Sequence, residues 1–289
     1  MKTKGWPLIL FTLLSQCAVG MLLSWYTIEA LGTMPLQSSQ IWIIPMLITL
    51  LLTLAGSAAG LHLRRPQRAA LAAANWQHSW LSREMVFALL LGSGTAMLTL
   101  LHVIQLPLML LRLGVRLLSL LSAGLLAWSM IRLYELRTVP AWKMDTTFLT
   151  FFNTILLLGP ATLLAVLVLL SEAGRGDVCT AVLFQPILLW TAGFLLFQTM
   201  VFYQSIQLLR SNGRAGRESY RIMMEENKKL VYARIGLSGV LVILLICSAY
   251  SIPAGNSLPM VVLPLLILLW IGEGIGRYLF YASYVRQGL

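Results

Sequence analysis

Eight apolar segments, each long enough to cross a membrane, follow one another along the chain and are separated by shorter polar stretches. They cover residues of about 6–28, 40–63, 84–105, 112–134, 147–170, 180–209, 230–250 and 258–282. A helix needs about 20 mostly apolar residues to cross about 30 Å of hydrocarbon, whereas barrel strands are about 10 residues long and alternate in polarity. The pattern therefore predicts an all-α integral membrane protein, a bundle of eight transmembrane helices. The longest polar stretches, 64–83 and 210–229, are too short for a soluble domain, so we expect one polytopic membrane domain over residues 1–289.

The composition excludes both a soluble globular protein and a disordered one. Of 289 residues, 58% are hydrophobic and 11% are charged, and the mean hydropathy is +0.83. An ordinary soluble domain carries about 25% charged residues. The net charge is +11, which in a soluble protein would suggest nucleic acid. Here the basic residues lie between apolar segments, so we expect lipid head groups and no nucleic acid as their partner.

The distribution of Lys and Arg predicts the orientation of the helices. The first apolar segment continues past Cys17, which favours a membrane span over a cleaved signal. Cytoplasmic connections carry an excess of Lys and Arg. Sixteen basic residues lie on the side of the N-terminus and two, Arg112 and Arg175, lie on the opposite side; the sixteen are Lys2, Lys4, Arg64, Arg65, Arg68, Arg83, Arg132, Arg137, Lys143, Arg210, Arg214, Arg217, Arg221, Lys228, Lys229 and Arg286. We therefore expect a multi-pass membrane protein with both termini in the cytoplasm.

Four charged residues lie well inside the apolar segments. A charge at the centre of a spanning helix costs about 2.5–3.5 kcal/mol on insertion scales, so we expect each of them to have a compensating interaction. Arg116 and Arg234 lie about one turn inside their segments, where long side chains reach the head groups. Glu273 and Arg277 are four residues apart on one face of the last segment, a spacing that favours an ion pair. This pair could lock the last helix into the bundle, or it could line a ligand pocket or a proton path.

A cluster of polar residues surrounds the connection between the second and third segments. His62 ends one segment and Glu84 begins the next, so both lie at the same membrane surface. Oxidation of a quinol releases two electrons and two protons, and it needs a hydrogen-bond partner for the hydroxyl group and a group that accepts protons. His and Glu suit these roles. The residues alone leave two alternatives open, a quinol site or ordinary interfacial side chains.

The three histidines do not favour a haem with two histidine ligands. His102 lies 18 residues beyond Glu84, or about 27 Å along a helix, so it cannot face His62. His78 lies in a connection outside the apolar segments. The three cysteines are far apart and do not form a cluster motif. We expect neither a haem nor an iron–sulfur cluster held by this chain, and no metal site.

Several motifs, in order and over nearly the whole chain, resemble the membrane anchor subunit of dimethyl-sulfoxide-reductase-type molybdoenzymes. The most specific are the span from His62 to Glu84 and the motif Gly272-Glu273-Gly274-Ile275-Gly276-Arg277. The full set of matching residues is Trp6-Pro7-Leu8, Phe11-Thr12, Gln16-Cys17, His62-Leu63, Pro66, Arg68-Ala69, Asn75, Leu81-Ser82, Glu84, Thr138-Val139-Pro140, Trp142, Gly159-Pro160, Gly272-Glu273, Ile275-Gly276-Arg277 and Phe280-Tyr281.

The resemblance implies an eight-helix anchor that binds and oxidises menaquinol. It also implies two partners: a subunit with four 4Fe–4S clusters, which receives the electrons directly, and a molybdopterin catalytic subunit that reduces an S- or N-oxide. Carried over residue by residue, His62 and Glu84 are the quinol-binding residues. We expect His62 to hydrogen-bond the quinol oxygen, Glu84 to accept the proton and Arg68 to position Glu84. The secondary candidates are Asn75, Ser82, Glu273, Arg277 and Tyr278.

The chain departs from the family pattern mainly by added positive charge. Arg64, Arg65 and Arg83 stand where the family commonly has small or neutral residues, and the connection 210–229 is unusually charged. These departures indicate a more acidic partner or an orientation inverted relative to relatives with exported catalytic subunits. The alternative functions are a small-molecule transporter or exporter and a purely structural anchor without a working quinol site. We find no inverted repeat, the pattern typical of many transporters.

Overall fold

The computed structural model describes residues 5–34, 36, 40–62, 75–105, 108–135, 138–142, 145–172, 178–251 and 258–286, and these residues form helices and short connections without a strand. The helices are α1 (Trp6–Ala30), α2 (Ile43–His62), α3 (Trp80–Val103), α4 (Met109–Tyr134), α5 (Asp145–Glu172), α6 (Val178–Ser211), α7 (Gly213–Arg221), α8 (Lys228–Tyr250) and α9 (Leu258–Ala282), with a short π-helix (Ile222–Glu226) between α7 and α8.

The prediction of eight transmembrane helices is confirmed within these residues. Eight of the helices, all except α7, are long and apolar enough to cross a membrane. The largest difference in a helix start is at α3, which begins at Trp80 and not near residue 84. Its start is fixed by polar groups, because the Ser82 N–H donates to Ser79 Oγ at 3.3 Å as an N-cap. The Arg83 guanidinium also donates to the carbonyl oxygens of Trp76 and Gln77.

The spanning helices form two four-helix bundles. In the first bundle α1, α2, α3 and α4 pack in sequence and α4 closes against α1; in the second, α5, α6, α8 and α9 pack in the same cyclic way. The bundles meet mainly where α1 packs against α5. These are the two central helices, with 67% and 72% of their spans buried inside the protein, against 22–33% for the other six.

Two glycines allow α1 and α5 to touch backbone to backbone. A Cβ atom added to Gly20 would overlap Ile155 O and the backbone of Gly159, and one added to Gly159 would overlap the backbone of Gly20. Small residues of this kind let spanning helices approach closely, and dispersion contacts then replace the missing hydrophobic driving force. The crossing fixes how the two bundles sit against each other.

The outward faces of the bundles are apolar. Large side chains such as Met109 and Leu110 on α4, Ile243 on α8 and Met260 on α9 are more than half exposed. A soluble protein rarely exposes so much contiguous apolar surface. These faces are suited to contact with lipid acyl chains.

Consecutive spans alternate in direction, so the connections divide between two surfaces. One surface, named here the basic surface, carries residues 5, 75–79, 138–142, 212–227 and 283–286. The ends of α2 and α4 and the starts of α3 and α5 lie at this surface. The ends of α1, α3, α5 and α8 lie at the opposite surface.

The glycine crossing generates a prediction about stability. Gly20→Ala is expected to destabilise the protein by roughly 1–3 kcal/mol, because the new methyl group forces α1 away from α5. The amount of folded protein in membranes and its melting temperature in detergent measure the effect. Gly124→Ala on α4 is the matched control, since its Cβ meets no atom within 4 Å. Equal stability of the two variants would show that the crossing does not hold the bundles together.

Candidate functional site

Glu84 is a buried carboxyl group without a counter-ion among the described residues. It lies one turn inside α3, near the basic surface, and is 1% exposed. Its Oε1 has no hydrogen-bond partner in the part of the chain that the structure describes. Buried polar atoms are nearly always paired with protein, water or a ligand, so an unpaired carboxyl oxygen marks a position where a partner is needed.

The other residues that the sequence predicts for the quinol site differ in burial and in position. Ser82 is buried beside Glu84 on α3, whereas Asn75 is exposed in the turn that precedes α3. His62 is the last residue of α2, a helix that packs against α3, so its backbone lies at the same surface as Glu84. The side chain of His62 and the whole of Arg68 lie outside the described residues. The structure therefore tests the shared surface but not the contacts of these two side chains.

Two tyrosines that join the bundles lie within the electrostatic range of Glu84. Tyr134 ends α4 in the first bundle, Tyr281 lies near the end of α9 in the second, and their hydroxyl groups are hydrogen-bonded at 2.8 Å. The tyrosine pair thus connects the environment of Glu84 with the interior of the second bundle.

An aromatic cluster surrounds the tyrosine pair. The Tyr134 ring lies 5.2 Å from Phe151 and 5.8 Å from Phe280, centroid to centroid. Trp142 stacks on Phe280 at 5.2 Å and donates its indole N–H to the Phe280 carbonyl oxygen at 2.9 Å. Packing of this kind excludes water from the sides of the pair and restricts the movement of both rings.

Arg234 and Glu273 form a buried ion pair in the second bundle. Arg234 Nη2 lies 3.0 Å from Glu273 Oε1, and both side chains are at most 5% exposed. Arg234 also donates to the carbonyl oxygen of Gly272. A Cβ at Gly276 would overlap the guanidinium group, so this glycine gives Arg234 the room to lie across α9. Arg234 was expected to extend to the head groups, and the structure instead turns it inward because Glu273 offers a full counter-charge.

Arg277 does not form the expected i,i+4 ion pair with Glu273. It points to α1 and α5, where its Nη2 donates to Gln16 Oε1 at 2.6 Å and lies 3.5 Å from Thr154 Oγ1. Its guanidinium carbon lies 4.0 Å from the centroid of the Phe151 ring, a cation–π contact. Its Nη1 is buried and has no hydrogen-bond partner among the described residues. The i,i+4 spacing placed both groups on one face, but neighbouring helices supply the partners.

Thr154 and Gln198 complete this polar network. Thr154 donates to Glu273 Oε2 at 3.0 Å, and Gln198 donates to the same oxygen at 3.3 Å. Asn153 in turn donates to Gln198 Oε1 at 2.7 Å. Glu273 therefore accepts hydrogen bonds from α5, α6 and α8 at once, which offsets the cost of burying its charge.

A cleft leads from this network to the basic surface. It encloses about 600 Å³ of space that is not occupied by atoms, part of it open to the outside. Arg234, Glu273 and Arg277 line it, together with hydroxyl groups at the start of α5 and near the ends of α6 and α9, and with two phenylalanines: Thr146, Thr147, Thr150, Ser205, Ser283, Phe202 and Phe280. The buried charges are thus connected to the surface by a lining of polar groups.

A second polar cluster lies at the opposite end of the first bundle. Arg116 pairs with Glu29, and its guanidinium carbon lies 4.8 Å from the Tyr26 ring centroid. Arg116 was expected to reach the head groups, and in the structure Glu29 of α1 holds it. His102 lies in the last turn of α3, so it is at the other surface from the end of α2, where His62 lies.

Several residues of the polar network were not predicted from the sequence, although the sequence context of some of them is unusual. Gln16, Thr154 and Gln198 are polar residues in the middle of long apolar segments. Tyr134 and Tyr281 gave no such signal, since aromatic residues near helix ends are ordinary at a membrane interface. Tyr278, a secondary candidate, lies on the outer side of α9 with 45% exposure and is not brought to the network. The described residues hold no group of three or more His, Cys, Asp or Glu side chains that could bind a metal ion.

Comparison with known proteins gives one family and two relatives. The family model of the DMSO reductase anchor subunit (DmsC) matches residues 1–283. A sulfite dehydrogenase subunit of Allochromatium vinosum is 45% identical over 69 residues, which are 22% of this chain and 21% of that protein. The anaerobic dimethyl sulfoxide reductase chain YnfH of Escherichia coli is 30% identical over 167 residues, 56% of this chain and 57% of that protein. The matches thus span about a fifth and just over half of the two relatives.

The ion pair of Glu273 generates a second prediction. Glu273→Gln is expected to lower the amount of protein in the membrane more than its specific activity, because it leaves the Arg234 charge buried and unpaired, a loss of about 3–5 kcal/mol. Glu273→Gln combined with Arg234→Gln should recover part of the loss. Immunoblotting of membranes and activity per unit of protein provide the measurements.

Glu218→Gln is the control for this experiment. Glu218 lies on α7 at the surface, and hydrogen bonds from Arg221 lower its pKa, so the control also removes an ionised, paired carboxylate. It should accumulate like the wild type. A Glu273→Gln protein present at normal levels but inactive would assign the ion pair a direct role in activity.

Proposed function

The chain belongs to the DMSO reductase anchor subunit family, and on this basis we propose that it holds a molybdopterin reductase complex at the bacterial inner membrane and oxidises menaquinol. Electrons pass directly from the quinol to a partner subunit with four 4Fe–4S clusters. That subunit serves a molybdopterin catalytic subunit that reduces an S- or N-oxide. The name of one relative, a dimethyl sulfoxide reductase chain, supports an S-oxide as the substrate class.

The observation that carries the proposal is the buried carboxyl group of Glu84. It lies at the basic surface, at the level where a quinol head group enters from the lipid, and its Oε1 lacks a partner among the described residues. A quinol hydroxyl would provide the missing donor and then lose its proton to the carboxylate. His62, at the same surface, holds the second contact to the head group, and Arg68 positions Glu84. We propose Ser82 and Asn75 as secondary contacts.

The basic surface is suited to an acidic partner subunit. The exposed side chains of α7 and the start of α8 include Arg214, Arg217, Arg221, Lys228 and Lys229. We propose this segment, together with the connections 64–83 and 132–146, as the docking surface. Docking there brings the nearest iron–sulfur cluster close to the quinol, and complementary charges favour the encounter.

The family membership does not support the alternative of a transporter or exporter. The buried carboxylate of Glu273 accepts hydrogen bonds from protein groups of three other helices. A transported solute would instead need free polar groups near the middle of the membrane, between related halves. The purely structural anchor is distinguished from a quinol-oxidising anchor by the experiment below.

The first test of the function replaces Glu84. Glu84→Gln keeps the size of the side chain but removes the proton acceptor, so menaquinol-dependent turnover should fall by about 100-fold or more. Reduced viologen feeds electrons to the partner subunits without a quinol, so viologen-dependent turnover of the same membranes should stay normal. His62→Asn is expected to act in the same way.

Glu135→Gln is the matched control. Glu135 lies at the same surface, just after α4, but is partly exposed and paired with Arg132. Its replacement should leave both activities unchanged. Normal menaquinol turnover in both the Glu84→Gln and His62→Asn proteins would refute the proposed site. If the wild-type complex turned over with neither menaquinol nor reduced viologen, the proposed function would be refuted.

The orientation gives a further prediction. We propose that both termini are cytoplasmic, because the excess of Lys and Arg lies at the surface where α1 begins and α9 ends. A green fluorescent protein fused after residue 289 should fluoresce, whereas alkaline phosphatase at the same position should be inactive. Fusions in the connection between α3 and α4 should give the reverse result. The opposite pattern would invert the protein and place the proposed quinol position at the periplasmic surface.

A further inference from the structure

The cleft of the second bundle carries one positive charge that no carboxylate of the described residues balances. Three charged side chains line it, Arg234, Glu273 and Arg277. Arg234 and Glu273 pair at 3.0 Å, so these two charges compensate each other. Arg277 forms no ion pair with any acidic residue that the structure describes. A buried cation without a counter-ion is costly, and an anion in the cleft would lower that cost.

Arg277 also has a hydrogen-bond donor without an acceptor. Its Nη2 donates to Gln16 Oε1 at 2.6 Å, whereas its Nη1 is buried and has no partner among the described residues. The residue is 3% exposed and lies one to two turns before the end of α9, about 8 Å from that end along the helix. The planar guanidinium group matches the geometry of phosphate oxygens. Arg277 is therefore suited to bind an oxyanion just below the basic surface.

The start of α5 forms another wall of the cleft and adds hydroxyl groups. Thr146, Thr147 and Thr150 lie on its first two turns and line the cleft. The first N–H groups of a helix have no partner within the helix, and the positive end of the helix dipole favours an anion. Asp145, the acidic residue of this turn, is exposed and does not line the cleft. The threonine hydroxyl groups can therefore donate to an anion that Arg277 attracts.

The segment beside the cleft is also positively charged. Leu209 and Met223, which line the cleft, lie just before and within the segment 210–229. This segment carries six basic and three acidic residues, a net charge of +3. Two of the acidic residues, Glu218 and Glu226, lie within 4.0 Å of Arg221. A positive field at the surface raises the local concentration of anions.

We propose that the cleft of the second bundle binds a phosphate group, held by Arg277 and by the threonine hydroxyl groups at the start of α5. The phosphate belongs either to the head group of an anionic phospholipid or to free phosphate, since both present the same oxygens. The space of about 600 Å³ has room for a phosphate and for a substituent on it. The bound anion balances the charge of Arg277 and joins α5 to α9. The site does not depend on the oxidation of a quinol.

Binding of inorganic phosphate tests the site with the free anion. The purified complex that contains the full chain is dialysed in neutral detergent against radiolabelled phosphate, with chloride keeping the ionic strength constant. The difference between the wild type and Arg277→Gln isolates this site from any phosphate site on the partner subunits. Loss of a charged hydrogen-bond donor is expected to weaken binding at this site about tenfold or more. Thr150→Val keeps the shape of the side chain and the charge of Arg277, and it should weaken binding about threefold.

Phosphatidylglycerol tests the site with a lipid head group. The same complexes are placed in bilayers of phosphatidylcholine with added phosphatidylglycerol, and native mass spectrometry counts the phosphatidylglycerol molecules that each complex retains. If the ligand is a lipid, the wild type should retain one more molecule than Arg277→Gln. If the ligand is free phosphate, the labelled anion binds and the lipid counts are equal. Either result supports the site and identifies the source of the phosphate.

Arg217→Gln is the matched control, because it removes the same charge from an exposed position on α7 that does not line the cleft. It should bind both probes like the wild type. Equal loss in Arg217→Gln and Arg277→Gln would show adsorption to surface charge and overturn the site. Binding of neither probe by the wild type, or equal binding by the wild type and Arg277→Gln, would also overturn it. If Arg277→Gln does not assemble, Thr150→Val decides, and unchanged binding of both probes in this variant refutes the site.

Discussion

The contact between the backbones of Gly20 and Gly159 is the constraint on which the rest of the structure depends. It lets α1 and α5 approach without side chains between them, and these two helices are the centre of the two bundles. The short distance allows Gln16 of α1 to reach Arg277 of α9 and Tyr134 of α4 to reach Tyr281. The two hydrogen bonds that join the bundles therefore depend on this close contact.

Burial of charge determines how the second bundle is assembled. An isolated guanidinium or carboxylate in hydrocarbon is costly, so Arg234 and Glu273 must meet and their remaining donors and acceptors must be satisfied. Four helices contribute to this, through Thr154, Gln198, Arg234 and the backbone of Gly272. Glu84 in the first bundle differs from Glu273, because no described residue pairs with it as a cation.

The sequence predicted the helices well and the contacts of the site only in part. Apolar segment length determined eight spans, because the thickness of the membrane allows few alternatives. Glu84 was singled out because it and His62 are predicted at one membrane surface; the structure shows that it is buried there, and its role stays a prediction. The partners of Glu273 could not be predicted, because the i,i+4 rule describes one helix in isolation and Arg234 comes from another. The tyrosine pair depends on two helix ends 147 residues apart in the chain, a proximity that no local pattern encodes.

The two buried arginines also bear on the electrical insulation of the membrane. Arg234 and Arg277 carry two positive charges and Glu273 carries one negative charge, so a net positive charge remains at the inner end of the cleft. Beyond this point, leucines and other mainly apolar side chains of α5, α6, α8 and α9 face one another. A cation entering from the aqueous phase meets repulsion first and a low-dielectric layer next. The second bundle can therefore keep a water-accessible opening on one side without short-circuiting the voltage that respiration maintains.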